Sequence, residues 1–480
     1  MGVKKNVLYT SFLTTSNYIF PLIVYPYVAR VLGVTNIGLC NFVDNLINYF
    51  ILISMMGINI MGNRQVAAEK ADKEKLNNIF SRLFTLNSIT TAIALGILIC
   101  LIYSIPELNQ NKELMWFGAI KLVSNFMLIE WFYKGMEDFK YITIRTVFVK
   151  CLYVASIFIF IHSKDNYNIY YLLTVLMVTA NALINTFHAR KMVTFKIKGT
   201  SFKGILKPFF MLGVYLIVTS FCTTFNVVFL GFMTNDTQVG YYTTATKLYS
   251  ILLAFFTGVT SVMLPRMSNL LSQGKIEEFR NFLKSTSSLL ITFAIPLILV
   301  SVIFAPQIIY LIAGPGYEGA ITPMRIVMPL MLIIGFEQIL VIQGLIPLKA
   351  DKAIMINSSI GAFISITLNL TIVRHLESVG SAIAWVSSET TILVLSQIAI
   401  NKIMKLSFPV KEIMKSILSY IPLAGILTVI YYFINEEFYW IYLILAGTTA
   451  VIYALFAQLF IIKNPFILNI ITSFGKKIFK

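Results

Sequence analysis

Long apolar segments recur along this chain and leave few ways for it to fold. Stretches of about 20 residues or more, enough to cross a hydrocarbon core of roughly 30 Å, follow one another from Val7 to Ile462 with short polar breaks. We count about fourteen of them. Because backbone in lipid must satisfy its own hydrogen bonds, each is predicted to be an α-helix. The predicted fold class is therefore an all-α integral membrane protein with about 14 transmembrane helices.

The composition argues against a separate soluble domain in this chain. Hydrophobic residues make up 58% of the 480 residues and charged residues only 12%, whereas soluble chains carry about a quarter charged residues. The formal charge of +17 is concentrated at one set of segment ends, as the positive-inside rule requires, so we do not read it as a nucleic-acid surface. This charge pattern predicts that both termini are cytoplasmic.

An internal repeat organises the spans. Gly38 and Gly240 each open an apolar span that an arginine closes at the same distance, Arg64 in the first copy and Arg266 in the second. Polar residues recur inside both spans with the spacing i, i+3, i+4, i+7, which places them along one helical face. They are Asn41, Asp44, Asn45 and Asn48 in the first copy and Thr243, Thr246, Lys247 and Ser250 in the second. A polar stripe at membrane depth should face protein or a water-filled cavity.

The repeat unit is six helices, and an even number of crossings returns the chain to the same side of the membrane. The halves are therefore predicted to be parallel repeats around a central cavity, as in carriers. We divide the chain into an N-terminal six-helix half (1–204), a C-terminal six-helix half (205–405), helices 13 and 14 (406–462) and a basic interfacial tail (463–480).

Two segments carry a family resemblance: TyrProTyrValAlaArgValLeuGly at 25–33 and GluTrpPheTyrLysGlyMetGluAspPhe at 130–139. With the two six-helix halves, the chain resembles the polysaccharide-exporter branch of the multidrug/oligosaccharidyl-lipid/polysaccharide (MOP) superfamily, which includes O-antigen-type flippases. The resemblance implies a flippase that moves an undecaprenyl-pyrophosphate-linked oligosaccharide, such as an O-antigen, capsule or exopolysaccharide repeat unit, from the inner to the outer leaflet by alternating access.

The same resemblance implies the location and the partners. The protein is expected in the bacterial inner (plasma) membrane as a multi-pass protein, with the lipid-linked oligosaccharide and membrane lipids as partners, a polysaccharide polymerase as a further one, and no nucleic acid. The alternative is a cation-coupled multidrug antiporter of the same superfamily, typically built of fewer helices with an acidic cavity. An enzyme acting on lipid-linked sugars is disfavoured because the three histidines are scattered and no long extramembrane segment exists.

A charged head group crossing hydrocarbon needs its charge offset, so basic residues at membrane depth are the first candidates for a substrate site. Lys247 is predicted to line the cavity with Asn41, Asn45, Asn48 and Thr243. Alternatively, Lys247 pairs with Asp44 to hold the halves together. Arg30 resembles the arginines that related flippases place in their cavities, or it snorkels to the interface.

Acidic residues at membrane depth are the candidates for ion coupling, and the three we predict are Asp44, Glu130 and Glu337. Glu130 is also placed to form a simple helix-surface ion pair with Lys134. Glu337 has no such partner in sequence and, with Arg325, is a candidate substrate contact. No metal site and no cofactor are expected, and coupling to a proton or sodium gradient is a hypothesis.

The remaining charged residues near the membrane have simpler interpretations. Packing or snorkelling accounts for four of them, namely Lys121, Lys150, Arg374 and Glu389. Arg64 and Arg266, at the inner ends of the repeated spans, are either topology anchors or contacts for the substrate phosphate at a cytoplasmic entrance.

Overall fold

A computed structural model describes residues 3–195, 202–433 and 439–462. Throughout these ranges the chain is helical and contains no β-strand, which confirms the all-α fold class. The chain forms two compact units, a first unit of Met1–Gly240 and a second unit of Tyr241–Lys480. The predicted interfacial tail at 463–480 lies outside the described residues, and the four-part division of the chain stays a prediction.

The first unit contains ten helices and the first turn of an eleventh within its described residues. They are α1 (Val3–Met55), α2 (Ile58–Glu69), α3 (Lys73–Ser104), α4 (Pro106–Gln110), α5 (Lys112–Met127), α6 (Glu130–Gly135), α7 (Phe139–Phe160), α8 (Tyr167–Ala189), α9 (Leu206–Ser220), α10 (Thr224–Met233) and the start of α11 (Asp236–Ser272). A short 3₁₀ turn, Lys164–Asn166, precedes α8.

The second unit contains the rest of α11 and eight further helices in its described part. They are α12 (Ile276–Ile303), α13 (Ala305–Ala313), α14 (Ile321–Val327), α15 (Leu330–Gln338), α16 (Asp351–Leu368), α17 (Arg374–Met404), α18 (Val410–Tyr432) and α19 (Tyr439–Phe456). Three π-helical stretches extend these helices, at Ile339–Leu345, Asn369–Val373 and Ala457–Ile461, and a 3₁₀ turn at Glu318–Ala320 precedes α14.

Ten helices in the described ranges are long and apolar enough to cross a membrane, or eleven if the bent pair α9 and α10 forms one span. Two of the ten are 48 and 54 residues long, Leu8–Met55 and Asp351–Met404. Each contains a non-helical residue, Gly33 with φ 77° and Glu377 with φ 50°. Gly33 suits such a break because glycine adopts positive φ without strain. The count of fourteen stays a prediction.

Two of the predicted spans are interrupted rather than continuous. The span that Gly38 opens and Arg64 closes breaks at Met56, between α1 and α2. The apolar segment at 206–233 bends by 57° between α9 and α10. Serine or threonine hydroxyls hydrogen bond to preceding backbone carbonyls just before both breaks, at Ser54 and at Thr219 and Ser220, and such bonds bend helices.

The segment at 130–139 that carries the family resemblance builds the core of the first unit. Trp131, Phe132 and Tyr133 of α6 are at most 1% exposed. Phe80 of α3 packs edge-on against Phe132, with ring centroids 5.2 Å apart. Tyr133 donates a hydrogen bond to the carbonyl of Asn185 on α8, at 2.6 Å. The aromatic residues of this segment therefore join three helices.

The two glycines of the internal repeat pack against each other. A Cβ atom on Gly38 would clash with the carbonyl oxygen of Asp236 and would lie 2.7 Å from the backbone nitrogen of Gly240. Three residues earlier, the hydroxyls of Thr35 and Thr237 are 2.8 Å apart. Thr35 and Thr237 occupy equivalent positions in the two copies, as do Gly38 and Gly240. Each residue thus meets its own counterpart where α1 crosses the first turn of α11, and glycine is required because the two backbones touch.

Candidate functional site

The polar stripe of the first copy lies on the second part of α1. Asn41, Asp44, Asn45 and Asn48 are all helical and half-buried. The amides of Asn41 and Asn45 donate to carbonyls one turn earlier, at 2.8 and 2.9 Å, and Asn48 donates to Asp44 Oδ2 at 3.2 Å. The predicted helical stripe is therefore present, and one of its amides, Asn48, contacts its carboxylate, Asp44.

Asp44 is neutralised inside the first unit. Lys121 Nζ, from α5, lies 2.5 Å from Asp44 Oδ1 and 3.0 Å from Asn48 Oδ1. The Lys121 side chain is only 10% exposed and that of Asp44 29%. Of the two predicted roles of Lys121, snorkelling is wrong because the side chain is buried, and the lysine packs beside the stripe as the counter-ion of its acid. Asp44 and Lys121 are 77 residues apart, so no local sequence pattern links them.

A second charged cluster lies where α6, α7 and α8 meet. Glu130 and Lys134 form the predicted i, i+4 ion pair at 3.1 Å. Glu130 also contacts Arg145 of α7 at 3.7 Å. Arg145 is 6% exposed and donates to the carbonyl of Asn181 at 3.4 Å. The sequence analysis missed Arg145. The one signal available for it was a basic residue within a largely apolar helix. Glu130 is thus fully engaged with two cations.

The second unit carries an acidic cluster. Glu337 near the end of α15 and Glu389 of α17 lie on two helices that pack against each other. Glu389 is 6% exposed and accepts a hydrogen bond from Trp385 Nε1 at 3.0 Å. The sequence analysis gave Glu337 no ion-pair partner, and the ion pairs in the described residues include none for it. Glu389 is buried, as its predicted packing role requires, and the sequence analysis did not foresee its hydrogen bond with Trp385. The two glutamates are 52 residues apart in the chain, so no local sequence pattern links them.

An amide and two hydroxyls extend this cluster toward α11. Gln338, next to Glu337, donates to Thr257 Oγ1 at 3.0 Å and its oxygen accepts from Thr260 Oγ1 at 3.2 Å. Tyr249, also on α11, packs edge-on against Trp385 with ring centroids 5.2 Å apart. The polar residues of α11 and α15 are therefore tied into one network in the second unit.

The predicted basic site residues have separate environments. Arg30 is exposed and donates to the carbonyl of Pro26 at 3.2 Å. Arg325 is exposed and donates to the carbonyl of Val302 at 3.1 Å, so it does not join Glu337. Arg64 is exposed. The Arg266 guanidinium lies 4.3 Å from the centre of the Phe282 ring.

On α11, Lys247 is half-buried and Thr243 is buried, at 5% exposure. Of the other charged residues near the membrane, Lys150 hydrogen bonds to Asn17 Oδ1, and Arg374 is exposed. In the part of the chain that the structure covers, no three histidine, cysteine, aspartate or glutamate residues are grouped so as to hold a metal ion.

Comparison with known proteins decides the family. A family model described as polysaccharide biosynthesis protein matches residues 3–271. The chain belongs to this family. An O-antigen transporter of Escherichia coli (strain K12) is 24% identical over 413 residues, which cover 84% of this chain and 98% of that relative. A second O-antigen transporter, of Shigella dysenteriae, is 25% identical over 275 residues, 56% of this chain and 68% of that relative.

Solved structures show the same fold. The Lipid II flippase MurJ in an inward closed conformation matches with a TM-score of 0.76 at 17% identity, covering 94% of this chain and 99% of that one. A multidrug resistance MATE family transporter of the MOP superfamily, in an inward-facing conformation, matches with a TM-score of 0.65 at 14% identity, covering 81% and 96%. The predicted resemblance is confirmed for the polysaccharide biosynthesis family and for the fold, which the chain shares with these two transporters. The relatives and structures named here are transporters or flippases rather than enzymes.

Proposed function

We propose that the protein is a flippase that turns an undecaprenyl-pyrophosphate-linked oligosaccharide from the inner to the outer leaflet of a bacterial plasma membrane. The observation that carries this proposal is the alignment with an O-antigen transporter along 98% of that relative's length, inside a polysaccharide biosynthesis family. An O-antigen unit is a glycan, and a glycan that crosses a membrane needs a polar path and a lipid carrier.

The first part of the proposal concerns the head group. Pyrophosphate is anionic, and an unpaired ion at membrane depth costs several kcal/mol or more. Lys247 and Arg30 are the cations that we propose offset this charge. Asn41, Asn45 and Thr243 supply amide and hydroxyl groups of the kind that bind sugar hydroxyls, and the half-buried position of the two asparagines leaves part of each side chain accessible.

The second part concerns the transport cycle. The protein alternates between access to the two sides of the membrane, with both termini in the cytoplasm and Arg64 and Arg266 at the cytoplasmic entrance. A proton or sodium gradient drives the cycle, and a polysaccharide polymerase takes over the flipped product. Asp44 and Glu130 are poorly suited to bind a coupling cation because Lys121 and Arg145 already neutralise them.

The test is flipping of a lipid-linked oligosaccharide by purified protein in sealed vesicles. Flipped molecules are counted by the access of a glycan-modifying enzyme added outside. A Lys247→Ala plus Arg30→Ala variant should flip at least about tenfold more slowly, because loss of about 1.4 kcal/mol of charge stabilisation in the rate-limiting step has that effect. The matched control is Lys352→Ala plus Lys411→Ala, which removes two exposed lysines outside the site.

Undiminished flipping by the first variant would refute the site assignment while leaving the flippase proposal standing. The flippase proposal itself fails if wild-type protein moves no lipid-linked oligosaccharide but exchanges cationic drugs for protons or sodium in the same vesicles. That second result would identify the multidrug antiporter.

A further inference from the structure

We propose that a cavity between α13, α14 and α19 of the second unit binds a neutral sugar, and that it receives part of the oligosaccharide on the outer side of the membrane. The side of the membrane and the source of the sugar rest on the proposed function. The binding site itself stands on the contacts of this one unit.

A break in the chain before α13 creates the space. Pro306, in the first turn of α13, has no N–H to donate to the carbonyl of Val302. Arg325 of α14 donates to this carbonyl instead, at 3.1 Å, so α14 is tied to the break. After α13, Gly314 and Gly316 adopt φ values of 83° and 85°, which glycine does without strain. The chain therefore turns back at once into α14.

The cavity beside this turn has a volume of about 320 Å³. Small-molecule sites usually measure about 300–1,000 Å³ and combine apolar and aromatic walls with a few polar groups. This cavity has the same composition. Gln307, Tyr310, Glu318 and Tyr439 supply its rings and polar groups, and proline, isoleucine and glycine residues complete its wall. It is therefore large enough for a single sugar residue.

Two tyrosine rings form one wall. Tyr310 of α13 and Tyr439, the first residue of α19, meet edge to face with ring centroids 5.1 Å apart. Tyr310 is 47% exposed, so the rest of the protein does not cover its ring fully. The face of an aromatic ring carries the negative side of its quadrupole, and it therefore attracts the C–H groups that line one face of a sugar ring.

Two acceptor groups complete the site. Glu318 Oε1 accepts a hydrogen bond from the backbone nitrogen of Gly316 at 3.0 Å, which holds the carboxylate beside the turn. Its oxygens have further lone pairs for hydroxyl groups, and none of the ion pairs in the described residues includes Glu318. Gln307 Oε1 is buried and has no hydrogen-bond partner within those residues. A half-turn of this amide would direct the oxygen to the cavity, where a hydroxyl donor relieves the cost of an unpaired acceptor.

The charges select among the possible ligands. None of the lining residues, all of which are described, is a lysine, arginine or histidine. A phosphate group would therefore meet a carboxylate without a cation. An acyl chain would cover Glu318 and Gln307 without offering either of them a hydrogen bond. A sugar offers hydroxyl donors to both acceptors and a C–H face to the tyrosine rings, so it matches both walls.

The position of the cavity fits the proposed transport path. With both termini in the cytoplasm, as proposed, the turn at 314–319 and the start of α19 lie on the outer side. Gly319, next to Glu318, packs so closely on Tyr241 that a Cβ atom would clash with the tyrosine ring. Tyr241 is two residues before Thr243 of the polar stripe. A glycan that leaves the stripe of α11 toward the outer side therefore passes close to this cavity.

The experiment measures sugar binding without requiring transport. Saturation-transfer difference NMR spectra are recorded on purified protein in phosphatidylcholine nanodiscs, which contain no glycoside detergent. The probes are free galactose, mannose, rhamnose and N-acetylglucosamine, and wild type should transfer saturation to the ring protons of at least one of them. Tyr310→Ala plus Glu318→Ala should weaken that binding about tenfold or more, because hydrogen bonds to a charged group are lost. The matched control is Tyr103→Ala plus Glu107→Ala, an exposed tyrosine and glutamate of the first unit, which should bind like wild type.

Wild type that binds none of the four sugars would overturn the proposal, and so would binding that is unchanged in the Tyr310 and Glu318 variant. Choline that binds in place of any sugar, and is lost in the same variant, would also overturn it, since the ligand would then be a quaternary amine. Flipping in the vesicle assay without sugar binding would refute this site and leave the proposed function standing. Sugar binding at this site by wild type that flips no lipid-linked oligosaccharide would refute the proposed function and leave the sugar site intact.

Discussion

The ion pair between Lys121 and Asp44 gives the most quantitative prediction. Replacing Lys121 by methionine keeps the length of the side chain and removes its charge, which leaves Asp44 without its counter-ion. Asn48 still donates to the other carboxylate oxygen, so the carboxylate is not wholly unsatisfied. We expect Lys121→Met to destabilise the protein strongly.

The magnitude follows from burial. Removing one partner of a buried ion pair costs about 3–5 kcal/mol, mostly because the other charge stays buried and unpaired. Asp44 retains 29% exposure, so we expect the lower end, about 3 kcal/mol. Adding Asp44→Asn to Lys121→Met removes the orphaned charge and should restore about 2 kcal/mol or more, because replacing both members of a buried pair is often nearly neutral.

The assay is a double-mutant cycle on the free energy of unfolding, measured by titrating purified protein in mixed micelles with a denaturing detergent. Lys112→Met, which changes an exposed lysine on the same helix, is the matched control and should stay within about 0.5 kcal/mol of wild type. If the effects of Lys121→Met and Asp44→Asn simply add, the two groups are not coupled and the assignment of Lys121 as counter-ion is wrong.

Three further predictions test a close backbone contact, a helix cap and a second buried ion pair. Gly38→Ala should lower the free energy of unfolding by about 3 kcal/mol, because the new Cβ meets backbone rather than a flexible side chain. Gly96→Ala is the control: a Cβ there has nothing within 4 Å, so the change should stabilise α3 slightly. Thermal unfolding of the two variants compares them. Asp72→Ala removes the side chain that caps the N-terminus of α3 and should cost about 1 kcal/mol in the same measurement. Glu130→Gln leaves Arg145 buried without its carboxylate and should cost about 3 kcal/mol, and Lys134→Gln, at an exposed position, should cost far less.

The sequence predicted those parts of the fold that depend on local pattern. Apolar length predicted the helices, and the i, i+3, i+4, i+7 spacing correctly placed the stripe of Asn41 to Asn48 on one helix. The breaks at Met56 and at 221–223 were not predicted, because an apolar window averages over a few hydroxyl residues. Their signal was the presence of Ser54, Thr219 and Ser220 just before each break.

The partners of the charged residues could not be predicted, since they depend on which helices pack together. Lys121 and Glu389 each looked like an isolated charge in an apolar run. Nothing in a single sequence says that α5 lies beside α1, or that α15 lies beside α17. A principle of charge balance could have narrowed the choice: an acid at membrane depth needs a cation or a proton, so the partners of Asp44 and Glu337 should be sought among the other charged residues at that depth.

The two units differ in the groups that contact their acidic residues at membrane depth, although the repeat gives them related helices. Thr35 and Thr237, like Gly38 and Gly240, are the same residue in both copies, because a backbone crossing admits little variation. The acidic residues do not lie at this backbone crossing, so their identity can differ between the two copies. In the first unit a lysine neutralises Asp44, so the pair can persist unchanged through a transport cycle. In the second unit the indole of Trp385 donates to Glu389 instead, and none of the ion pairs in the described residues includes Glu337 or Glu389.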